Sequence, residues 1–188
     1  AFWECVGLDG TLTLPENLDT IRDYTFGSYN GTMALTGNVV IPETVKYIGV
    51  AAFQKCSSLE NVTFGENSQL TYIGDYAFTN CSSLTGDLII PNGVTYIGNY
   101  AFNYCSSLTG DLIIPNTVTS IGLSAFQNCS SLTGDLTIPN SVTYIGKNAF
   151  WECVGFDGTL TLPENLDTIH DYTFVSYNGT MALTGNVV

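Results

Sequence analysis

Phenylalanine recurs along the chain at Phe2, Phe26, Phe53, Phe78, Phe102, Phe126, Phe150 and Phe174, in steps of 24, 27, 25, 24, 24, 24 and 24 residues. A self-similar period of ~20 to 50 residues marks a solenoid, in which each coil is one unit that cannot bury its apolar side alone. Such coils contact only their neighbours and expose long, regular surfaces in place of a single deep pocket. The 188 residues therefore read as one continuous stack, 24 residues in the regular coil and nearly eight coils in all.

The unit is clearest in AFNYCSSLTGDLIIPNTVTSIGLS, residues 101–124, and AFQNCSSLTGDLTIPNSVTYIGKN, residues 125–148. Leu112 and Ile114 alternate with outward positions and precede Pro115, which predicts a short strand ending at a turn. Val118 and Ile121 supply a second apolar pair before Gly122. Ala125, Phe126 and Cys129 follow at i, i+1 and i+4, a spacing that predicts a single helical turn with Ala and Cys on one face. Coils stacked at the strand spacing of ~4.8 Å would align like side chains into ladders of Leu, Ile, Val, Phe and Cys. The coil from Phe26 to Phe53 carries SYNGTMALTG in place of CSSLTG, and the next reads LENVTFGENSQLTYIG. Both are expected to place their extra residues in turns, where insertion costs least.

The recurring pattern C-S-S-L-x-x-x-L-x-I-P-N-x-V-x-x-I-G-x-x-A-F, carried by residues 105–126 and 129–150, resembles the BspA-like leucine-rich repeats of bacterial and protozoan surface proteins. The resemblance covers essentially the whole chain and is specific, because Pro, Gly, Ala-Phe and Cys recur together at fixed offsets. It implies a right-handed leucine-rich-repeat superhelix, mostly short parallel β-strands with a sheet on one face. It also implies an extracellular or cell-surface role in adhesion or partner binding, with a protein or glycan ligand on a host or neighbouring cell, and brings no catalytic motif. In LTGDLTIP the chain has one residue more than members of that family commonly carry.

Residues 1–40 and 149–188 differ only at Leu8/Phe156, Arg22/His170 and Gly27/Val175. Adjacent coils agree far less well, so a higher-order unit of 148 residues, six coils long, is expected. The opening AFWEC falls mid-repeat, which suggests a piece of a longer array. Two readings stay open: a duplication within a long surface protein, or a filament or coat component built from tandem six-coil units that associate along the axis. Six coils would rise roughly 29 Å.

The net charge of −13 sets 17 acidic residues against Arg22, Lys46, Lys55 and Lys147. Such a chain repels phosphate backbones and anionic lipid, which argues against nucleic-acid and membrane-surface roles. No apolar run approaches the ~18 residues of a transmembrane helix. His170 is the only histidine and the duplicate carries Arg22 in its place, so a histidine base would be missing from one copy. The glycines recur with the coil rather than in a phosphate loop. An enzyme is not expected.

Four sets of residues remain as candidates for specific roles. Cys5, Cys56, Cys81, Cys105, Cys129 and Cys153 each follow a Phe by three; stacked Cβ atoms ~4.8 Å apart lie beyond the disulfide range, so a buried ladder of free thiols is expected. Asp87, Asp111 and Asp135 recur in T-G-D turns and would align three carboxylates, either as a calcium site or as a solvated, salt-screened column. Tyrosines fall in two columns: Tyr47, Tyr72, Tyr96 and Tyr144 before the I-G pair, and Tyr24, Tyr76, Tyr100 and Tyr172 two residues before a Phe. They read equally as a contact surface for protein or glycan and as rings that steady neighbouring coils. Asn30, Asn61, Asn80, Asn128 and Asn178 open N-x-[ST] triplets, which accept N-linked sugar in secreted chains but also arise by chance in so Asn-, Ser- and Thr-rich a sequence.

Overall fold

The computed structural model describes residues 2, 4, 5, 7, 9–177, 179 and 181–184. Its spine is built from the I-G segments. Thr20–Ile21, Tyr47–Ile48, Tyr72–Ile73, Tyr96–Ile97, Ser120–Ile121 and Tyr144–Ile145 form a six-stranded parallel sheet, each strand paired with its counterpart one coil away. The glycine after each strand continues the ladder: Gly74, Gly98 and Gly122 donate their N–H to Ile48, Ile73 and Ile97 at 2.8–2.9 Å. The isoleucines point inward and are at most 1% exposed. The sheet thus counts about six complete turns, fewer than the nearly eight expected, because the first and last coils add no strand to it. The phenylalanine column outruns the sheet. From Phe2 to Phe174 every ring stacks on the next at 5.2–5.7 Å, within the offset-stacked range of aromatic pairs.

Strands on a second face pair two by two instead of continuously. Asp9–Gly10 lies beside Ala34–Leu35, Gly37–Ile41 beside Leu59–Phe64, Leu88–Ile89 beside Leu112–Ile113, and Leu136–Thr137 beside Leu160–Thr161. As expected, Leu112 and Ile114 face inward, while Ile113 between them is 47% exposed. Gly37, Gly86 and Gly134 in T-G-x turns, and Gly10 in a D-G-T turn, adopt φ of +71 to +85°, a conformation that glycine accepts at no steric cost. The register of Leu59–Phe64 against Gly37–Ile41 slips between Gly37 and Asn38, which pair with Leu59 and Asn61, so Glu60 is the extra residue at the irregularity. Grooves of about 790 Å³ beside Phe64 and Ile89, and about 510 Å³ beside Ile113 and Thr137, open where pairing lapses.

No helix occurs among the described residues, which corrects the expected helical turn. Ala125, Gln127 and Cys129 instead donate to Gly122, Ser124 and Phe126 at 3.3, 3.2 and 3.1 Å, a chain of linked four-residue turns. Ser124 and Asn128 between them are left-handed, with φ of 52° and 60°, as are Tyr76, Asn80, Tyr100, Tyr104, Asn148 and Glu152 at the same two places in other coils. A left-handed residue reverses the path before a helix can propagate. Each costs ~1–2 kcal/mol when it is not glycine, and inter-coil bonding offsets that cost: Tyr100, Phe102 and Tyr104 donate to Leu123, Ala125 and Gln127 at 2.7–2.8 Å. The apolar spacing is the same for a helical turn and for this zigzag, so the pattern alone does not separate them.

The SYNGT insert is held by the coil beneath it. Ser28 Oγ donates to Glu4 Oε2 at 2.9 Å and the Tyr29 N–H to Glu4 Oε1 at 2.7 Å. In the duplicate, Ser176 Oγ and the Tyr177 N–H meet Glu152 at 2.8 and 2.7 Å. The Tyr29 amide, with help from Ser28 and Asn30, holds the Glu4 carboxyl below the usual carboxylate range.

Candidate functional site

The strand-borne tyrosines sit just outside the buried isoleucines, so their rings emerge along one flank. Tyr47, Tyr72 and Tyr96 stack at 4.8 and 4.9 Å with interplanar angles of 8° and 10°. Tyr144 stands apart from them, tilted against His170 at 5.5 Å and 47% exposed. In the second column Tyr76 and Tyr100 stack at 4.8 Å. Tyr24 and Tyr172 lean instead on Tyr29 and Tyr177 of the inserts, at 6.0 and 6.2 Å. The structure therefore assembles three of the first four tyrosines and two of the second four into stacks. Burial first, then neighbouring Tyr96 and Tyr47, pushes the Tyr72 phenol up to about 12; burial and then Asp75 raise Tyr96, with Tyr144 adding to it. At neutral pH these phenols keep their protons, and the flank presents hydroxyl-edged rings with the Asp75 carboxylate beside them, 3.4 Å from the Tyr96 hydroxyl.

Side chains around the flank fix the backbone that carries it. Asp75 Oδ1 accepts the Asn99 N–H at 2.8 Å, and Asn99 Oδ1 accepts the Leu123 N–H at 2.8 Å, so each coil caps the next. The residues following Phe53, Phe78, Phe102 and Phe126 are buried although polar: Gln54, Thr79, Asn103 and Gln127 are 5–9% exposed. Thr79 Oγ1 donates to the Tyr100 carbonyl and Asn103 Nδ2 to that of Gln127. This column escapes a reading based on hydrophobicity; its only sequence signal is the 24-residue recurrence of a polar residue after Phe. Tyr29 and Tyr177, 53% and 69% exposed on the inserts, belong to neither predicted column.

Five of the six cysteines form the expected column. Cys56, Cys81, Cys105, Cys129 and Cys153 are free and buried, and each Sγ–H donates to the phenylalanine carbonyl one coil back, at 3.0–3.4 Å. Cys5 departs from the expectation: it is exposed, having no preceding coil to cover it among the described residues. Burial pushes the Cys105 thiol from 9.0 up to about 12, and moves Cys81, Cys129 and Cys153 the same way. An unfolded thiol loses its proton first, so the stability these groups contribute is intact below pH 9 and lost as pH climbs toward 12. Cys105→Ala is expected to make the alkaline loss of structure shallower; a circular-dichroism titration with unchanged steepness would contradict this.

Asp87, Asp111 and Asp135 are all exposed at their turns. The Asp111 N–H donates to Asp87 Oδ1 at 3.0 Å and the Thr159 N–H to Asp135 Oδ1 at 2.6 Å, so two of the three carboxylates cap the backbone of the following coil. Among the described residues no three His, Cys, Asp or Glu side chains converge, and the turns offer calcium no preformed cage. Asn30 is exposed on its insert, Asn61 is half-buried in a strand, and Asn80 and Asn128 are half-buried at left-handed turns. Asn178 lies outside the described residues.

A family model described as the BspA type leucine rich repeat region matches the chain in six copies, over residues 1–109, 27–156 and 110–184. A search of curated proteins finds no match. Among solved structures, a leucine rich cell surface protein from Faecalibacterium prausnitzii is 31% identical with a TM-score of 0.57, covering 85% of this chain and 48% of its own. A leucine-rich repeat protein from Bacteroides ovatus is 26% identical with a TM-score of 0.62, covering 98% and 55%. The leucine rich repeat protein of T. pallidum is 25% identical with a TM-score of 0.60, covering 93% and 67%. The chain thus spans about half the length of the first two. No helix among the described residues is long and apolar enough to cross a membrane.

Proposed function

The chain belongs to the BspA-type leucine-rich repeat family, and on that footing we propose that it acts at the cell surface as a non-enzymatic adhesion or partner-binding module. The observation that carries this reading is the stack of Tyr47, Tyr72 and Tyr96 on a rigid sheet. Tyrosine supplies a large amphipathic contact at small entropic cost, and rings already stacked lose little further freedom when a partner arrives. The matched Faecalibacterium protein, described as a cell surface protein, supports the extracellular placement. Repetition along the axis makes the mechanism additive, many weak contacts gaining avidity together. Asn30 and Asn178, one in each SYNGT insert, are the acceptors we favour for N-linked sugar in a secretory route that adds it.

A double variant, Tyr72→Ser with Tyr96→Ser, tests the reading, since serine already occupies the equivalent place at Ser120. Purified variant should be retained on intact host or neighbouring cells about tenfold less than wild type, a loss of ~1.4 kcal/mol that a single hot spot can supply. Equal retention by a folded variant would move the binding elsewhere.

A second reading, a filament or coat of tandem six-coil units, is favoured by the near-identity of residues 1–40 and 149–188 and by the matching Glu4 and Glu152 anchors. Negative-stain images of native material separate the two: long threads with a repeat of ~29 Å mark the filament, isolated rods the binder.

A further inference from the structure

Both tyrosine ladders fail in the same coil. Sheet register places Ser120 beside Tyr96 on one side and beside Tyr144 on the other, so a serine stands on the rung where the next ring would lie. Among the described residues the Tyr96 ring stacks on Tyr72, its hydroxyl donating to Asp75 Oδ1 at 3.4 Å, and the Tyr144 ring lies tilted against His170. The register sets the two rings two strand spacings apart, ~9.6 Å, with no ring on the rung between them. One planar ring set between them would lie ~4.8 Å from each, the spacing the ladder itself uses at 4.8 and 4.9 Å. Four residues on, Ser124 takes the place that Tyr76 and Tyr100 hold in the second ladder, with φ of 52° against 58° and 57°. Leu123, half-exposed, stands between the two serines where the adjacent coils carry Asn99 and Lys147.

A second observation falls on the same stretch. Ser124 is 1% exposed and its Oγ has no hydrogen-bond partner. In the next coil Asn148 Oδ1 and Trp151 Nε1 are also buried without partners, so three of the four such side-chain atoms among the described residues gather here. Polar groups left this way are costly, and they cluster in the two coils where Ser124 and Asn148 replace the rings of the second column.

We infer that the gap over Ser120, walled by Tyr96 and Tyr144, receives one aromatic side chain from a partner protein, a tyrosine above all. The ring completes the interrupted ladder from outside, its two faces against Tyr96 and Tyr144 and its hydroxyl at the rim beside theirs. A flat ring meets the offset-stacking distance on both sides at once, and a phenol is what the neighbouring coils place on this rung. The inference rests on the binding reading above and names the partner chemistry of that flank.

Saturation-transfer NMR with N-acetyl-tyrosinamide tests it, with methyl β-glucopyranoside as the contrasting probe. Wild-type protein should transfer magnetisation to the phenol ring protons and far less to the sugar. Ser120→Tyr, which fills the rung from within, should reduce that transfer at least tenfold while melting no lower than wild type. Tyr144→Ala, which removes one wall, should reduce it as well. Absent transfer, transfer that survives Ser120→Tyr, preference for the sugar, or failure of Ser120→Tyr to fold would each overturn the inference, the last because a vacant rung must have room for a ring. If N-acetyl-tyrosinamide does not bind while cell retention still depends on Tyr72 and Tyr96, this inference fails and the broader binding role stands.

Discussion

Truncating Phe126 to alanine is expected to lower the unfolding free energy by about 3–5 kcal/mol. The side chain is fully buried, and its ring lies 5.5 Å from Phe102 and 5.3 Å from Phe150. Removing it leaves a cavity with two ring faces and no filler, since neighbours held by inter-coil hydrogen bonds cannot collapse into the space. The position in the stack matters as much as the volume. Coils of a solenoid couple only to their neighbours, so a weakened joint at Phe126 divides the molecule into two shorter stacks. Denaturant unfolding should show a lower midpoint and a broadened or two-step transition. Phe2→Ala is the control: Phe2 is 50% exposed and stacks on one side only, and its loss should cost about 1 kcal/mol. Equal shifts for the two would mean that the phenylalanine column does not bear the stability assigned to it.

Adding a single methyl group at Gly122 is expected to be nearly as damaging. A Cβ there would lie 2.5 Å from Asn99 N, 2.6 Å from Gly98 C and 2.7 Å from its O, against ~3.5–4.0 Å for an ordinary carbon contact. No side-chain rotation relieves a clash with backbone. The coil must lift away from its neighbour, which stretches the Gly122 N–H bond to Ile97 at 2.9 Å and that of Thr119 to Thr95 at 2.9 Å. We expect Gly122→Ala to cost about 3 kcal/mol, the upper part of the range for overpacking. Gly49, Gly74, Gly98 and Gly146 face the previous coil in the same way, with backbone atoms 2.4–2.8 Å from the added carbon. Gly86 separates sterics from dihedral strain: nothing lies within 4 Å of its added carbon but its φ is +78°, so alanine there should cost only ~1–2 kcal/mol. A Gly122→Ala protein as stable as the Gly86→Ala protein would refute the close-approach argument.

These two positions show what the sequence could and could not reveal. Phenylalanine at a fixed period demands a column of rings, and burial of Leu112, Ile114, Val118 and Ile121 follows from alternation around proline and glycine. The thiol column followed from the same logic, but exposure of Cys5 did not, because an identical residue is buried only when another coil lies on it. The helical turn expected at Ala125 to Cys129 was wrong for a different reason. Two left-handed residues per coil are unremarkable in composition, being Ala, Tyr, Ser, Asn, Lys or Glu, and what holds them is bonding to a neighbour some 24 residues away in the chain. Tyrosine columns were legible as columns; which rings touch depended on Ala51, Ser120, Ser124 and Asn148 interrupting them.

Nearly all hydrogen bonds between coils, from Gly122 to Ile97 as from Tyr100 to Leu123, point along the stacking direction. Tension applied between the ends would therefore load one row of bonds at a time rather than shearing many in parallel. Coils would peel off successively at modest force and release stored length, then rewind when the pull relaxes. A stack so constructed would act as a spring, lengthening coil by coil under load.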